Sequence, residues 1–404
     1  MLEGVNVALG VTGSIAAVKT VELAHELRRQ GATVRAVTTP AAEGIIHPWA
    51  LEYATNNPVV TEITGAVEHV EFCGKEGWAD VLAIAPATAN TVGKMAAAID
   101  DTPVTTCATT ALGAGLPVVV VPAMHEPMYD HPGVPGAIER LEEWNVAVVD
   151  PRIEESKAKI ATADAVVTEL ARATTEATLA GEHVVVTAGA TTESIDPIRT
   201  LSNRASGRTG REVARACYVR GADATVVHGT VGSGGDGTAS AGPRLPWATV
   251  ESVESAAEML DATLERTEGA DALVSAAAIS DYTVTERPEK IRSGQESLVL
   301  ELEPTPKLID TVRDAHPELP IVGFKTEAGG DDATIERKAR ETLKRVGLAF
   351  VVGNDASVMG RDRTRALLVR EEGQSERIEG TKADLGARVA GGLAATLQSQ
   401  ARDG

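Results

Sequence analysis

Two glycine-bearing turns follow apolar runs, one opening a helical pattern and the other a long polar stretch, and each could hold an anion. The first, GVTGSIAA, offers Gly10, Gly13 and Ser14; the second opens VVVTAGATTESIDPIRTLSNRASGRTG at Val184. Such a turn aims backbone N–H groups and a helix dipole at a negative charge. The first turn lacks the full GxGxxG spacing. After the next strand TTPAAEG stands where a dinucleotide site would place its ribose-binding acid, so a dinucleotide is disfavoured. Between the turns lies His69, in VEHVEF. An imidazole, with an unperturbed pKa of about 6.5, is largely neutral near pH 7 and suits the removal of a proton. Taken without its neighbours, VEHVEF reads as a half-buried strand.

The elements that must position these groups follow a simple alternation. VNVALG, TVRAVTT, DVLAIAP and LPVVVVPA alternate with helical stretches such as AAVKTVELAHELRRQ, the pattern of a parallel sheet with crossover helices. This half ends near Val149, and PRIEESKAKIATADAVVTELARA reads as a lid or loop leading into a helix. ATTEATLAGEH is a linker. The alternation then restarts with VVVTAG, ADATVVHG, DALVSAAA, IVGFKTE and LAFVVGND as strands, with helices in GREVARACYVRG, in VESAAEMLDATLERT and before LAFVVGND. The expected fold is therefore α/β, with two doubly wound domains spanning residues 1–181 and 182–404. GTVGSGGDGTASAGPR, from Gly229 to Arg244, is too rich in glycine for a regular element and reads as a surface loop.

Composition sets the outer bounds. A chain of 404 residues, 43% hydrophobic, is long enough for two cores. No apolar run reaches the roughly 18 to 20 residues that span a bilayer, and no basic region precedes an apolar core at the start, which predicts a cytoplasmic protein without a membrane partner. Cys73, Cys107 and Cys217 are odd in number and in no CxxC pairing, which favours reduced thiols over a disulfide framework or zinc site. The formal charge of −20, with 11 Lys against 27 Arg, argues against a nucleic-acid partner and favours a salt-loving source.

In order along the chain, GVTGSIAA, VEHVEF, APATANTVGKMAAAIDD and PAMHEPMYDHP resemble the flavin-containing phosphopantothenoylcysteine decarboxylases over residues 4–165. The resemblance implies a flavodoxin-like flavoprotein domain. It implies FMN held by Gly13, Ser14, Ile15, Thr39, Thr88 and Asn90, with His69 as catalytic base and Met124 and His125 against the substrate. In that chemistry the flavin takes a hydride from the carbon bearing sulfur while the histidine removes the thiol proton, which gives the departing carboxylate an electron sink. Two positions depart from the family. His125 replaces the asparagine of PAMN, and PRIEESKAKIA has no flap cysteine to return a proton, leaving Lys157, Lys159 or solvent.

The later segments, TAGATTESIDPIRTLSNRASGRTG, SAAAISDYTV, RPEKIRS, PTPKLID, VGFKTE and VVGNDAS, resemble the phosphopantothenate-cysteine ligases over residues 183–398. The family activates a carboxylate by attack on the α-phosphate of CTP, normally with a divalent metal such as Mg2+. The resemblance implies a Rossmann-like ligase domain in which Asn203 serves turnover of the acyl-cytidylate and Lys290 the phosphates. It places the nucleotide against Ser275, Ala276, Ala277, Asp281, Pro306, Lys307, Leu308, Ile309 and Phe324. Lys338 and Lys344 are candidates for the two lysines that the family carries before the ND motif. Thr192 stands where many relatives have arginine, which shifts the substrate-phosphate contact to Arg199, Arg204 or Arg208.

Together the resemblances imply a bifunctional enzyme of coenzyme A synthesis. It would take 4'-phosphopantothenate, cysteine and CTP, and form homo-oligomers through trimeric flavin domains and dimeric ligase domains. A tandem dinucleotide-binding oxidoreductase is one rival, opposed by the missing ribose acid and by SNRASG. A flavoprotein binding or regulatory subunit is another, opposed by His69 and by the full set of ligase motifs.

Overall fold

The computed structural model describes residues 1–154, 157–230, 243–292, 294, 296–327, 331–355 and 363–403. They form two compact units, Met1–Glu176 and Ala177–Gly404. The stretch read as a linker is divided between them: Leu179 is fully buried in the second unit's core.

The first unit is a five-stranded parallel sheet. From edge to edge its strands are Thr33–Thr38, Asn6–Val11, Val81–Ala87, Val118–Pro122 and Ala147–Val148. Val81–Ala87 and Val118–Pro122 are buried throughout, because helices cover both faces, and their sequences are accordingly continuous apolar runs rather than alternating ones. The helix Thr20–Arg29 shows the opposite pattern, burying Leu23, Ala24 and Leu27 and leaving its arginines outside. Strand order reverses about Asn6–Val11, and in a sheet of this order ligands bind in the crevice outside the carboxyl ends at that reversal.

The second unit holds eight strands: Thr249–Val253, Asp223–Gly229, His183–Gly189, Ala272–Ser275, Ile321–Glu327, Phe350–Asp355, Arg363–Val369 and Glu376–Thr381. The first six are parallel and the last two antiparallel. Alternation splits the core in two. Val184, Val186 and Ala188 face one cluster, shared with the helices Arg208–Val219 and Lys382–Asp403. Val185 faces the other, shared with Ala256–Thr267, Leu308–Ala315 and Asp332–Val346.

Four local differences from the sequence reading have physical causes. VEHVEF is helical over Glu68–Cys73, since Phe72 and Cys73 bury together on one side, as helical neighbours can and strand neighbours cannot. The stretch read as a lid contains two short strands, Arg152–Glu154 and Lys157–Lys159, which form an antiparallel ribbon with Met124–His125. The helix expected from Val253 begins at Ala256, where the Ser255 side chain caps it, and Val253 ends an edge strand. The hairpin after LAFVVGND was not anticipated. The core of the Gly229–Arg244 loop, residues 231–242, lies outside the described residues.

Candidate functional site

In the first unit three helix starts converge on the carboxyl edge of the sheet. Ser14, Thr39 and Thr88 are N-caps whose side chains accept from Ala16, Ala42 and Thr91 amides respectively. Cross-bonds lock the turns together. The Thr12 hydroxyl donates to Pro86 O at 2.7 Å and accepts from the Thr88 amide at 3.2 Å, while the Ser14 hydroxyl donates to Ala123 O at 3.0 Å. Gly13 packs so tightly on the Thr39 helix that a Cβ would lie 2.6 Å from Ala41 Cβ. Ile15 and Asn90 are exposed beside these turns. The expected residues Gly13, Ser14, Ile15, Thr39, Thr88 and Asn90 therefore lie on neighbouring turns at the carboxyl edge of the sheet.

His69 stands on the short helix Glu68–Cys73, whose entry residue Val67 has φ 58°, a left-handed conformation that is unfavourable for a β-branched side chain. The helix is pinned from below. Arg35 stacks 4.2 Å from the Phe72 ring centroid and pairs with Glu71 at 2.9 Å, and Phe72 and Cys73 are fully buried. His69 Nδ1 is buried without a hydrogen-bond partner. Val67 and Val70 on either side are 46% and 49% exposed.

Met124 packs partly on the core and His125 is exposed, at the end of the short strand that pairs with the ribbon. Lys157 is the register partner of His125, and the side chains of residues 152–159 lie outside the described set. The three cysteines are buried. Hydrogen bonding to Cys107, and then burial, push the Cys73 thiol far up, and burial pushes Cys217 up to about 12, so neither is a thiolate near neutral pH.

The second unit carries a cleft at the carboxyl edge of its parallel strands, lined by Gly189, residues 205–210, Ala276–Ala278, Phe324, Thr326, Asn354, Thr364 and Lys382. Asn203 reaches the same segment, its Nδ2 donating to Ala278 O at 3.0 Å. The amides of Ala276 and Ala277 donate to Thr187 O and Oγ1, each at 3.2 Å, which fixes the backbone beyond Ser275. Gly207 has φ 70° and opens the helix Arg208–Val219; a Cβ there would meet His228 Nε2 at 2.7 Å. Asp281 pairs with Lys307, which heads the helix beginning at Leu308, so Asp281, Pro306, Lys307, Leu308 and Ile309 form a second expected group.

Other expected residues have different settings. Lys338 pairs with Glu327 at the end of its strand. Lys344 lies in the last turn of the same helix, near Val346 and Leu348, which pack beside the amino end of Ile321–Glu327, so it stands at the opposite edge of the sheet from the cleft. Lys290 is exposed in the segment after Tyr282–Val284. Thr192 is buried, its hydroxyl donating to Ser202 Oγ at 3.0 Å, and cannot take the place of an arginine at a phosphate. Arg199 is committed to Asp196. Burial pushes the Asp196 carboxyl up, but the amides of Ile291, Ile198 and Arg199 and the Arg199 guanidinium outweigh it and hold the carboxyl well below its usual range. Arg208 lines the cleft and Arg204 is exposed near it. Thr326, Asn354, Thr364 and Lys382 escaped the sequence reading. The pairing of Thr326 with Asn354, at adjacent strand ends, had a signal in the FKTE and GND stretches; Lys382 had none.

The two units, a parallel sheet with turns crowded at its carboxyl edge and a second doubly wound unit with its own cleft, match the two domains of a flavoprotein of pantothenate metabolism. Residues 1–175 match the Flavoprotein family model and residues 179–396 the DNA/pantothenate metabolism flavoprotein C-terminal domain. The chain is 44% identical to the coenzyme A biosynthesis bifunctional protein CoaBC of Thermococcus kodakarensis, across 96% of this chain and 94% of that one. Against the CoaBC protein of Methanocaldococcus jannaschii identity is 32%, across 96% and 93%. A solved FMN-dependent cysteine decarboxylase, SpaF, aligns at 31% identity with a TM-score of 0.39, covering 43% of this chain and 100% of that one. The chain belongs to the CoaBC family of coenzyme A biosynthesis bifunctional proteins.

Proposed function

We propose that this chain converts 4'-phosphopantothenate and cysteine into 4'-phosphopantetheine, ligating in the second unit and decarboxylating in the first. Family membership supports both activities, and one observation carries the ligase assignment. The Asn203 bond to Ala278 O draws SNRASG and SAAA, far apart in sequence, into the cleft that also holds Phe324.

In the ligase step the substrate carboxylate attacks the α-phosphorus of CTP. A new P–O bond forms as the α–β bridge breaks and pyrophosphate leaves; the cysteine amine then attacks the acyl carbon and CMP departs. Backbone groups from Ser275 to Ala277, Asp281 and the 306–309 turn hold the nucleoside, with Phe324 against the base. Asn203 and Lys290 address the acyl-cytidylate and phosphates. Among the described residues no cluster of three or more His, Cys, Asp or Glu could hold a metal. Mg2+ would arrive on the triphosphate, as it commonly does, keeping its waters. Arg204 supplies charge for the substrate phosphate in place of Thr192, while Arg208 lines the nucleotide cleft.

In the decarboxylase step FMN would lie in the mouth formed by Gly13, Ser14, Ile15, Thr39, Thr88 and Asn90. Bound there, it would supply a reversible hydride sink for the carbon bearing sulfur. His69 takes the thiol proton on an imidazole nitrogen, Met124 and His125 position the carboxylate, and Lys157, Lys159 or solvent returns a proton. Exposed Ile15, Val18, Trp49 and Tyr53, with Val67 and Val70 beside His69, support a site shared between copies of the flavin domain, hence a homo-oligomer. The ligase units would pair as dimers. Among the described residues no helix is long and apolar enough to cross a membrane, and the proposed setting is a salt-rich cytoplasm.

The test is to incubate pure protein with phosphopantothenate, cysteine, CTP and magnesium and to follow pyrophosphate and carbon dioxide separately. Both should appear. Pyrophosphate alone would leave a ligase and remove the decarboxylase; neither would remove the proposal entirely.

A further inference from the structure

We infer that Lys382 is a phosphate-contacting residue of the second unit's nucleotide site, a role that rests on the nucleotide reading above and deepens it. Lys382 opens the last helix and is only 9% exposed, yet it lines the same cleft as Arg208 and Phe324. A lysine is almost never buried this far without an opposing charge, because desolvating an ammonium is costly. A bound anion in the cleft would add to that opposition.

How it comes to be there is legible in two glycines. A Cβ on Gly386 would lie 2.5 Å from Glu212 O, and one on Gly391 would lie 3.6 Å from the Arg220 guanidinium. Residue numbers rise together along the two helices, so Lys382–Asp403 and Arg208–Val219 run parallel. Their amino termini therefore reach the cleft side by side. Four residues back from the Gly386 contact, Lys382 stands level with Arg208. A reciprocal cap fixes this start: the Thr381 amide and hydroxyl donate to Asp384 Oδ2 at 2.7 and 2.8 Å, and the Asp384 amide donates to Thr381 Oγ1 at 3.1 Å. Two converging helix dipoles, an ammonium and a guanidinium suit a chain of phosphates rather than a base or a sugar.

The experiment is calorimetric titration of the full-length protein, wild type, Lys382→Met and Lys382→Arg, with CTP and with cytidine. Lys382→Met should weaken CTP by about 10- to 100-fold, the effect of losing one charge-assisted contact, and leave cytidine within about twofold. Lys382→Arg should recover most of the CTP affinity. Unchanged CTP affinity in Lys382→Met would overturn the assignment. Parallel loss of CTP and cytidine would do the same, by showing that the lysine only holds the fold. A wild-type protein that binds no cytidine compound would overturn the nucleotide reading itself, and this proposal with it.

Discussion

At the scale of single residues, two histidines each keep a buried orphan nitrogen, and the proposed reaction uses only His69. His69 keeps a buried nitrogen without a partner on a strained, well-anchored turn of helix, the combination expected of a group held ready for substrate. His69→Asn should abolish carbon dioxide release while leaving pyrophosphate release within about twofold, read on one sample by two assays; carbon dioxide at the wild-type rate would remove His69 from the mechanism. His228 has another orphan, Nδ1, but its Nε2 meets Arg211 Nη1 at 3.0 Å beneath the Gly207 turn. Burial first, then the Arg211 charge, push His228 down to about 4, against a smaller opposing effect of the Gly229 backbone. The folded value lies below the ordinary 6.5, so the folded state binds fewer protons between the two. Stability present above pH 6.5 is lost as pH falls toward 4, at up to about 1.4 kcal/mol per pH unit. His228→Gln should flatten that part of the second unit's stability profile, measured by denaturant unfolding between pH 7 and 4.5.

At the scale of elements, contact between the helices Arg208–Val219 and Lys382–Asp403 depends on Gly386 lying over the Glu212 backbone. Gly386→Val should separate them, with a cost of about 2 kcal/mol or more and a lower first-melting unit, followed calorimetrically. The parallel strands were legible in the sequence because burial on both faces leaves uninterrupted apolar runs, as in VVVTAG and LPVVVVPA. The phosphate-type turns were legible because glycine is required where backbone approaches backbone. What escaped depends on long-range placement. RTRALLV and ERIEGT carry charges on exposed positions and so lack the run signature, and VEHVEF alternates like a strand while its burial follows a helix. The neighbourhood of Lys382 was illegible because the 205–210 segment that shares its cleft lies some 170 residues earlier in the chain.

At the scale of the molecule, each unit has its own core and the chain carries a charge of −20. Self-repulsion of that size weakens a compact state in dilute buffer, and salt near 1 M shortens screening to about 3 Å. Both units should therefore melt at higher temperature in 2 M KCl than in 0.1 M, by differential scanning calorimetry; unchanged melting would refute a salt-adapted surface. The second unit also closes its cleft with segments from both ends of its sequence, Gly189 to Gly210 early and Thr364 to Lys382 late. Contacts of such high sequence separation form slowly. During synthesis the early wall would stand complete while the late wall was still being made. Ligase competence should thus begin only once the final strand and helix have left the ribosome, whereas the flavin unit has by then had more than 200 residues of translation in which to mature.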